Sequence, residues 1–220
     1  MIVRSIIIMK IVSVCRSGGE YSAKHVQWIH DQLPKGYDAV CFSDIEIPGV
    51  NTIPFKYNWP GWWSKIEIFN PEAIDDDIFY LDLDTVIVGD ITKLLANKKM
   101  AMLADFFFPA ETKNSSIMYI PKEMKSTVWD TFLRYPEMFM KSHAGGGDQT
   151  FITALLPQAV DWQSLFPRSI VSYKKHVVKK HRKLEHATGN GEIPLGAEIV
   201  CFHGKPRPWD CGEPWVPVLK

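Results

Sequence analysis

Between Ile78 and Val88 the chain reads Ile-Phe-Tyr-Leu-Asp-Leu-Asp-Thr-Val-Ile-Val, an apolar run broken only by Asp82 and Asp84. Residues two apart on a strand share a side and lie about 6.6 Å from each other. The pattern therefore puts two carboxylates on one face of a segment that otherwise favours burial. At about 5 Å between the charges and an effective dielectric of about 20, their repulsion costs on the order of 3 kcal/mol. A divalent cation held by oxygen ligands offsets this better than a lysine does. The alternative is a turn at Asp82 with Asp84 capping a helix. The Thr-Val-Ile-Val that follows is strand-forming and argues against it. Asp75, Asp76 and Asp77, ahead of the strand, are explained by a solvated turn.

A chain of 220 residues with 46% hydrophobic and 12% aromatic content can bury a sizeable core, and its length fits one domain over 1–220. The charges balance at 25 basic against 25 acidic residues, so no global field draws it to nucleic acid or to an anionic membrane. Cys15, Cys41, Cys201 and Cys211 form no Cys-x-x-Cys pair and are too few for a disulfide framework. They read as reduced thiols of a cytoplasmic protein. Arg4 and Lys10 interrupt the apolar N-terminus, which makes a first β-strand a better reading than a signal peptide. Met9 is a second possible start, which would leave residues 1–8 a dispensable extension. No run approaches about 18 uninterrupted apolar residues, so no membrane span is expected.

Strand-like runs over 6–14, 38–42, 78–81, 100–103, 116–120 and 198–202 alternate with helical candidates over 21–33, 63–69, 91–97, 122–135 and 148–156. Such alternation predicts an α/β fold with a largely parallel sheet. Most of the helical segments are closed by Pro or Gly, as at Pro34-Lys35-Gly36 and Pro136. In open sheets of this kind ligands lie at the carboxyl ends of the strands. Arg16-Ser17-Gly18-Gly19 and Asp82-Leu83-Asp84 both follow strands, so two chemically loaded loops are expected on one edge.

The loop Arg16 to Tyr21 has the exposed amides that suit a nucleotide, yet it is neither Gly-x-Gly-x-x-Gly nor a loop ending in Gly-Lys-Ser. Tyr21 serves equally as a base-stacking ring or as the first apolar anchor of the next helix. Trp59-Pro60-Gly61-Trp62-Trp63-Ser64-Lys65 is dense in aromatics that belong to the core or to a sugar-facing wall, with the core favoured. Lys65 opens a helix with buried-type residues after it and either reaches an anion or snorkels to the surface. Gly145-Gly146-Gly147-Asp148-Gln149 places an acid and an amide at a helix start, where Asp148 is also a natural N-cap. His203-Gly204-Lys205-Pro206-Arg207 ends a strand with a potential metal ligand and two cations, a set that suits a metal and a diphosphate. The basic stretch Lys174, Lys175, Lys179, Lys180, His181, Arg182, Lys183 reads first as a solvated face, with peripheral membrane contact as its most ambitious role.

Taken together these segments resemble the retaining glycosyltransferases of family eight, the group that includes glycogenin and bacterial lipooligosaccharide galactosyltransferases. Tyr-Leu-Asp-Leu-Asp-Thr-Val-Ile-Val looks like that family's Asp-x-Asp strand, and Gly146-Gly147-Asp148-Gln149 like its Gly-Gly-Asp-Gln. Asp105 with Asn114-Ser115-Ser116 resembles its donor-sugar segment. His203-Gly204-Lys205-Pro206-Arg207-Pro208-Trp209 resembles its closing element. The resemblance implies a single GT-A-type, Rossmann-like nucleotide-diphospho-sugar transferase domain with a central, mostly parallel sheet flanked by helices. It implies Mn2+ or Mg2+ held by Asp82, Asp84 and His203. The family's histidine position falls on Cys201 here, but a soft thiolate suits a hard cation poorly, so His203, two residues along, is read as the ligand. It further implies donor contacts from Val14, Cys15, Arg16, Tyr21, Lys65, Leu83, Asp105, Asn114, Ser115, Gly204, Lys205 and Arg207, with Asp148 and Gln149 near the anomeric carbon.

The expected activity is thus metal-dependent transfer of a hexose from a UDP-sugar, with retention, to a glycan, a lipid-linked or a protein acceptor. Two alternatives stand beside it. A sugar-nucleotide nucleotidyltransferase requires a Gly-rich, arginine-bearing loop after the first strand, which Arg16-Ser17-Gly18-Gly19 only faintly provides. A noncatalytic carbohydrate-binding relative would use the tryptophans as its platform and need not keep the acids.

Overall fold

The computed structural model describes residues 9–109, 112–180 and 185–220. The proposed dispensable extension 1–8 and the basic residues His181, Arg182 and Lys183 lie outside the described residues. Strands β1 (Lys10–Cys15), β2 (Asp38–Ser43), β3 (Asn51–Pro54) and β4 (Ile78–Leu81) run parallel in the order β3-β2-β1-β4. Next comes β5 (Thr85–Ile87), which leaves this sheet, followed by β6 (Ala101–Ala104) and β7 (Lys113–Ile120). β7 pairs antiparallel with both β4 and β6, and β8 (Val160–Asp161) completes a seven-stranded sheet beyond β6. β9 (Ile170–Ser172), β10 (Ile199–Cys201) and β5 form a second, three-stranded sheet in the order β5-β10-β9.

The helices are α1 (Ala23–His30), α2 (Thr92–Leu95), α3 (Lys125–Arg134), α4 (Pro136–Ser142), α5 (Gly147–Leu155) and α6 (Trp162–Leu165), with a 3₁₀ helix over Gly61–Phe69. Side chains alternate across the large sheet with the period of two that strand geometry demands. Phe79, Leu81, Ile117 and Tyr119 join one apolar cluster with α1, Trp162 and the small sheet. Ile78, Tyr80, Met118 and Ile120 join a second cluster with the 3₁₀ helix, α3 and α5. The mixed α/β architecture with a mostly parallel central sheet agrees with the sequence expectation. Among the described residues no helix is long and apolar enough to cross a membrane, and the four cysteines are free.

Three differences have physical causes. The Asp82/Asp84 run is two strands in two sheets: β4 ends at Leu81, and residues 82–84 turn so that Val86 enters the core beside β10. Pro136 opens α4 rather than only closing the preceding helix, because proline at the first helical position loses no hydrogen bond. Strands β3, β8 and β9 escape the sequence pattern because they are two to four residues long.

The approach to the 3₁₀ helix is tied down from inside. Glu67, 1% exposed, accepts the backbone amides of Lys56 and Tyr57 at 2.7 Å each.

On the other face, His30 of α1 meets the Ser13 hydroxyl of β1 at 2.9 Å through Nε2, and burial lowers its pKa to about 4. Unfolding restores the ordinary imidazole value near 6.5, so the unfolded chain binds more protons between those values. Stability is therefore full above about pH 6.5 and falls as pH drops toward 4. Urea titrations across this range should show a shallower decline for His30→Gln, with up to about 3 kcal/mol of the wild-type loss removed by pH 4.

Candidate active site

The carboxyl ends of β1 and β4, the turn 82–84, the 3₁₀ helix and the start of α5 converge. Tyr80 and Asp82 lie two residues apart and project toward the 3₁₀ helix, where Lys65 stands 8% exposed. Its Nζ lies 3.1 Å from Asp82 Oδ1, 3.2 Å from Asp148 Oδ2 and 3.2 Å from the Ser115 hydroxyl. The ammonium also sits 5.0 Å from the centroid of the Tyr80 ring, and the Tyr80 hydroxyl donates to Asp82 Oδ1. Ser115 donates through its hydroxyl to Asp148 Oδ2 at 3.2 Å and through its amide to Gln149 Oε1 at 3.3 Å. Burial pulls the Lys65 pKa down, but Asp148 and Asp82 outweigh it and hold the amine protonated. Burial pushes the Asp148 carboxyl up, against the pull of Lys65.

Asp84, 6% exposed, has its own cation: Arg207 Nη1 donates to its Oδ2, and the Gly204 amide hydrogen-bonds it. Burial and the neighbouring Asp82 raise its pKa, with Arg207 opposing. The same guanidinium donates to Glu20 through Nε at 3.0 Å and Nη2 at 2.7 Å, and lies over the Tyr21 ring. Lys205 Nζ reaches Glu20 at 2.6 Å. Hydrogen bonds from Arg207 and Lys205 lower the Glu20 pKa to about 2.

Two adjoining cavities frame these groups. One, about 580 Å³, is lined by Val14, Arg16, Tyr21, Leu83, Gly204 and Arg207 among others. The second, about 330 Å³, is lined by Ser115, Ser116, Gly145, Gly146, Asp148 and Gln149. Trp62, Lys65 and Asp82 line both. A larger hollow of about 1000 Å³ beside α1 is bordered by exposed residues such as Lys24, Asp31 and Lys220. Buried Lys65, Asp84 and Asp148 line the two adjoining cavities instead.

Most of the residues singled out from sequence come together here, with exceptions. Among the described residues, no three His, Cys, Asp or Glu side chains are grouped so as to hold a metal ion. His203 lines the larger cavity, but its Nε2 meets the Ser172 hydroxyl at 2.6 Å and its ring stacks on Phe106 at 5.4 Å. Burial, then Lys174, lowers its pKa to about 4. Cys201 is buried, and burial together with Asp84 and Asp82 drives its thiol pKa well up, which keeps it protonated and a poor ligand. The donors that do suit a divalent cation are the two hard carboxylates. Mg2+ commonly takes one or two of these and completes its sphere from substrate phosphates, and such hard oxygen ligands suit Mn2+ as well.

Asp105 is used locally, accepting the amides of Phe107 and Phe108 at 2.8 and 2.9 Å. Asn114 accepts the Ser116 amide at 2.8 Å, and Cys15 is a buried core residue. Three site residues went unassigned in the sequence reading. Tyr80 was legible by its i, i+2 relation to Asp82. Trp62 was not separable from its neighbours, and Glu20 pairs with partners 185 and 187 residues away.

No protein-family model and no curated protein matches the chain. Solved structures do. The chain is similar to glycosyltransferase GlyE of Streptococcus pneumoniae TIGR4, with a TM-score of 0.64 and 15% identity over 92% of this chain and 56% of that one. It thus spans little more than half the length of GlyE. Galactosyltransferase LgtC, in complex with donor and acceptor sugar analogs, gives a TM-score of 0.63 at 14% identity, covering 91% of this chain and 89% of that one. Mouse xyloside xylosyltransferase 1 gives 0.52 at 10% identity, covering 90% and 98%. At these identities the likeness is one of fold: the chain has the GT-A architecture that these glycosyltransferases share.

The Lys65 network sets a stability test. Lys65→Met leaves Asp82 and Asp148 uncompensated and should lower the unfolding free energy by about 3 to 5 kcal/mol. Adding Asp148→Asn should recover part of that loss, so that urea denaturation of the two single variants and the double variant shows a non-additive cycle.

Proposed function

We propose that the chain is a metal-dependent retaining glycosyltransferase that moves a hexose from a UDP-sugar to a glycan, lipid-linked or protein acceptor. The observation that carries this reading is the buried Lys65, which joins Asp82, at the end of β4, to Asp148 at the start of α5 across two adjoining cavities. The larger compartment suits a nucleotide, with Val14, Arg16, Tyr21 and Leu83 around it. The smaller suits a hexose, with Asp148 and Gln149 at hand. The GT-A fold supports the same reading by analogy.

Asp82 and Asp84 are the residues that would hold Mn2+ or Mg2+, whose part is to neutralise charge on the leaving diphosphate. His203 lines the cavity and is held there by Ser172 and Phe106. Arg207 and Lys205 carry fixed positive charge to the same phosphates, exchanging Glu20 for them. Lys65 holds the Asp148 carboxylate beside the sugar, and Gln149 stands next to it on α5. Asp148 and Gln149 stabilise developing positive charge at the anomeric carbon. The leaving phosphate oxygen takes the acceptor's proton as the new bond forms on the same face. A covalent sugar trapped on Asp148 would contradict this course.

The test is a screen of UDP-sugars with and without Mn2+, following thermal stabilisation and UDP release. UDP should stabilise the wild type more with metal than with chelator. Asp84→Ala should lose the metal increment and reduce turnover by about a hundredfold or more. Stabilisation by UDP that is indifferent to metal and to Asp84 sinks the assignment. Pyrophosphate release from a nucleoside triphosphate would favour the nucleotidyltransferase instead.

Glu20 provides a second check. Because it holds the two cations that the diphosphate needs, Glu20→Gln should lower the donor KM by about two- to fivefold, the scale of an exposed charge pair.

A further inference from the structure

Tryptophans 59, 62 and 63 are neighbours in sequence, and the fold gives them different surroundings. Trp59 and Trp63 are 7% and 5% exposed and pack on Phe132. Trp62 keeps 59% of its surface exposed. A tryptophan exposed at the rim of a cavity offers a ligand a flat apolar face with a polar edge.

Its position follows from the local backbone. Residues three apart eclipse on a 3₁₀ helix, so Trp62 stands over Lys65 on the side that faces the site. The indole lies against the backbone of Gly147, where φ is +62° and a Cβ would come within 2.4 Å of Nε1. Only a glycine permits that approach. The ring is a common wall of both compartments.

We propose that Trp62 is the stacking platform for the acceptor, and that the acceptor presents a pyranose sugar to it. This rests on the sugar-nucleotide reading above and names the second substrate of that site. A pyranose has one face of C–H groups and a rim of hydroxyls. The indole takes the C–H face, and the Gln149 carboxamide, whose oxygen already accepts from Ser115, keeps its NH2 as a donor for the rim. The compartment assigned to the donor has its own lining, Arg16, Tyr21 and Arg207. A lipid tail calls for a predominantly apolar pocket, whereas the smaller compartment that Trp62 lines also carries Ser115, Asp148 and Gln149. A separate open groove of about 530 Å³ is lined by Pro60, two residues before Trp62, and by Tyr135 and Met138, which are 62% and 53% exposed.

The protein is applied to an array of immobilised glycans, with Mn2+ and with or without UDP, alongside Trp62→Ala and Trp62→Phe. The wild type should retain a defined set of glycans. Trp62→Ala should lose that retention by about tenfold or more, and Trp62→Phe, which keeps an aromatic face, should recover most of it. Thermal stabilisation by UDP reports that each variant is folded. Equal retention by Trp62→Ala overturns the platform, and so does a wild type that binds UDP yet retains no glycan. A wild type that fails to bind UDP sinks the sugar-nucleotide reading instead, and the UDP-free arm of the array still decides for or against Trp62.

Discussion

The site is organised around one buried ammonium. Lys65 is 8% exposed and meets two carboxylates and a hydroxyl that come from three different parts of the chain. Removing any of these charges from water is costly, and a pair is tolerable only when its geometry is good and its remaining donors and acceptors are satisfied. That requirement ties the turn after β4, the middle of β7 and the first turn of α5 to the 3₁₀ helix. The larger and smaller compartments share a wall to which the same lysine belongs.

Arg207 performs the corresponding task at the outer end. It links Asp84 to Glu20 and covers Tyr21, so loops at the two ends of the chain meet on one guanidinium. Acids and bases around the cavity are therefore nearly matched before any substrate arrives. An anion that reached Arg207 or Lys205 would have to compete with Glu20.

Much of this was legible in the sequence because it depends on local pattern. The period-two alternation of Ile78 to Leu81 and the glycines before Asp148 belong to short segments whose neighbours are their own sequence neighbours. The carboxyl-edge convergence of Arg16 and Asp82 followed from strand order in an open sheet. What could not be read depends on distant pairing. Whether Asp82 and Asp84 lie on one strand or on a turn is decided by β10, more than a hundred residues later, which pairs with β5 and draws the chain out of the first sheet. The direction of the His203 ring is set by Ser172 and Phe106, which no spacing within the closing element foretells. The separate fates of three neighbouring tryptophans are set by Phe132 of α3, which packs on Trp59 and Trp63 and leaves Trp62 outside.

The two amide hydrogen bonds accepted by buried Glu67 reach beyond the loop they close. They fasten the approach to the 3₁₀ helix to the helix itself, so Trp62 and Lys65 are delivered on a braced support. A braced aromatic wall loses little conformational entropy when something settles on it.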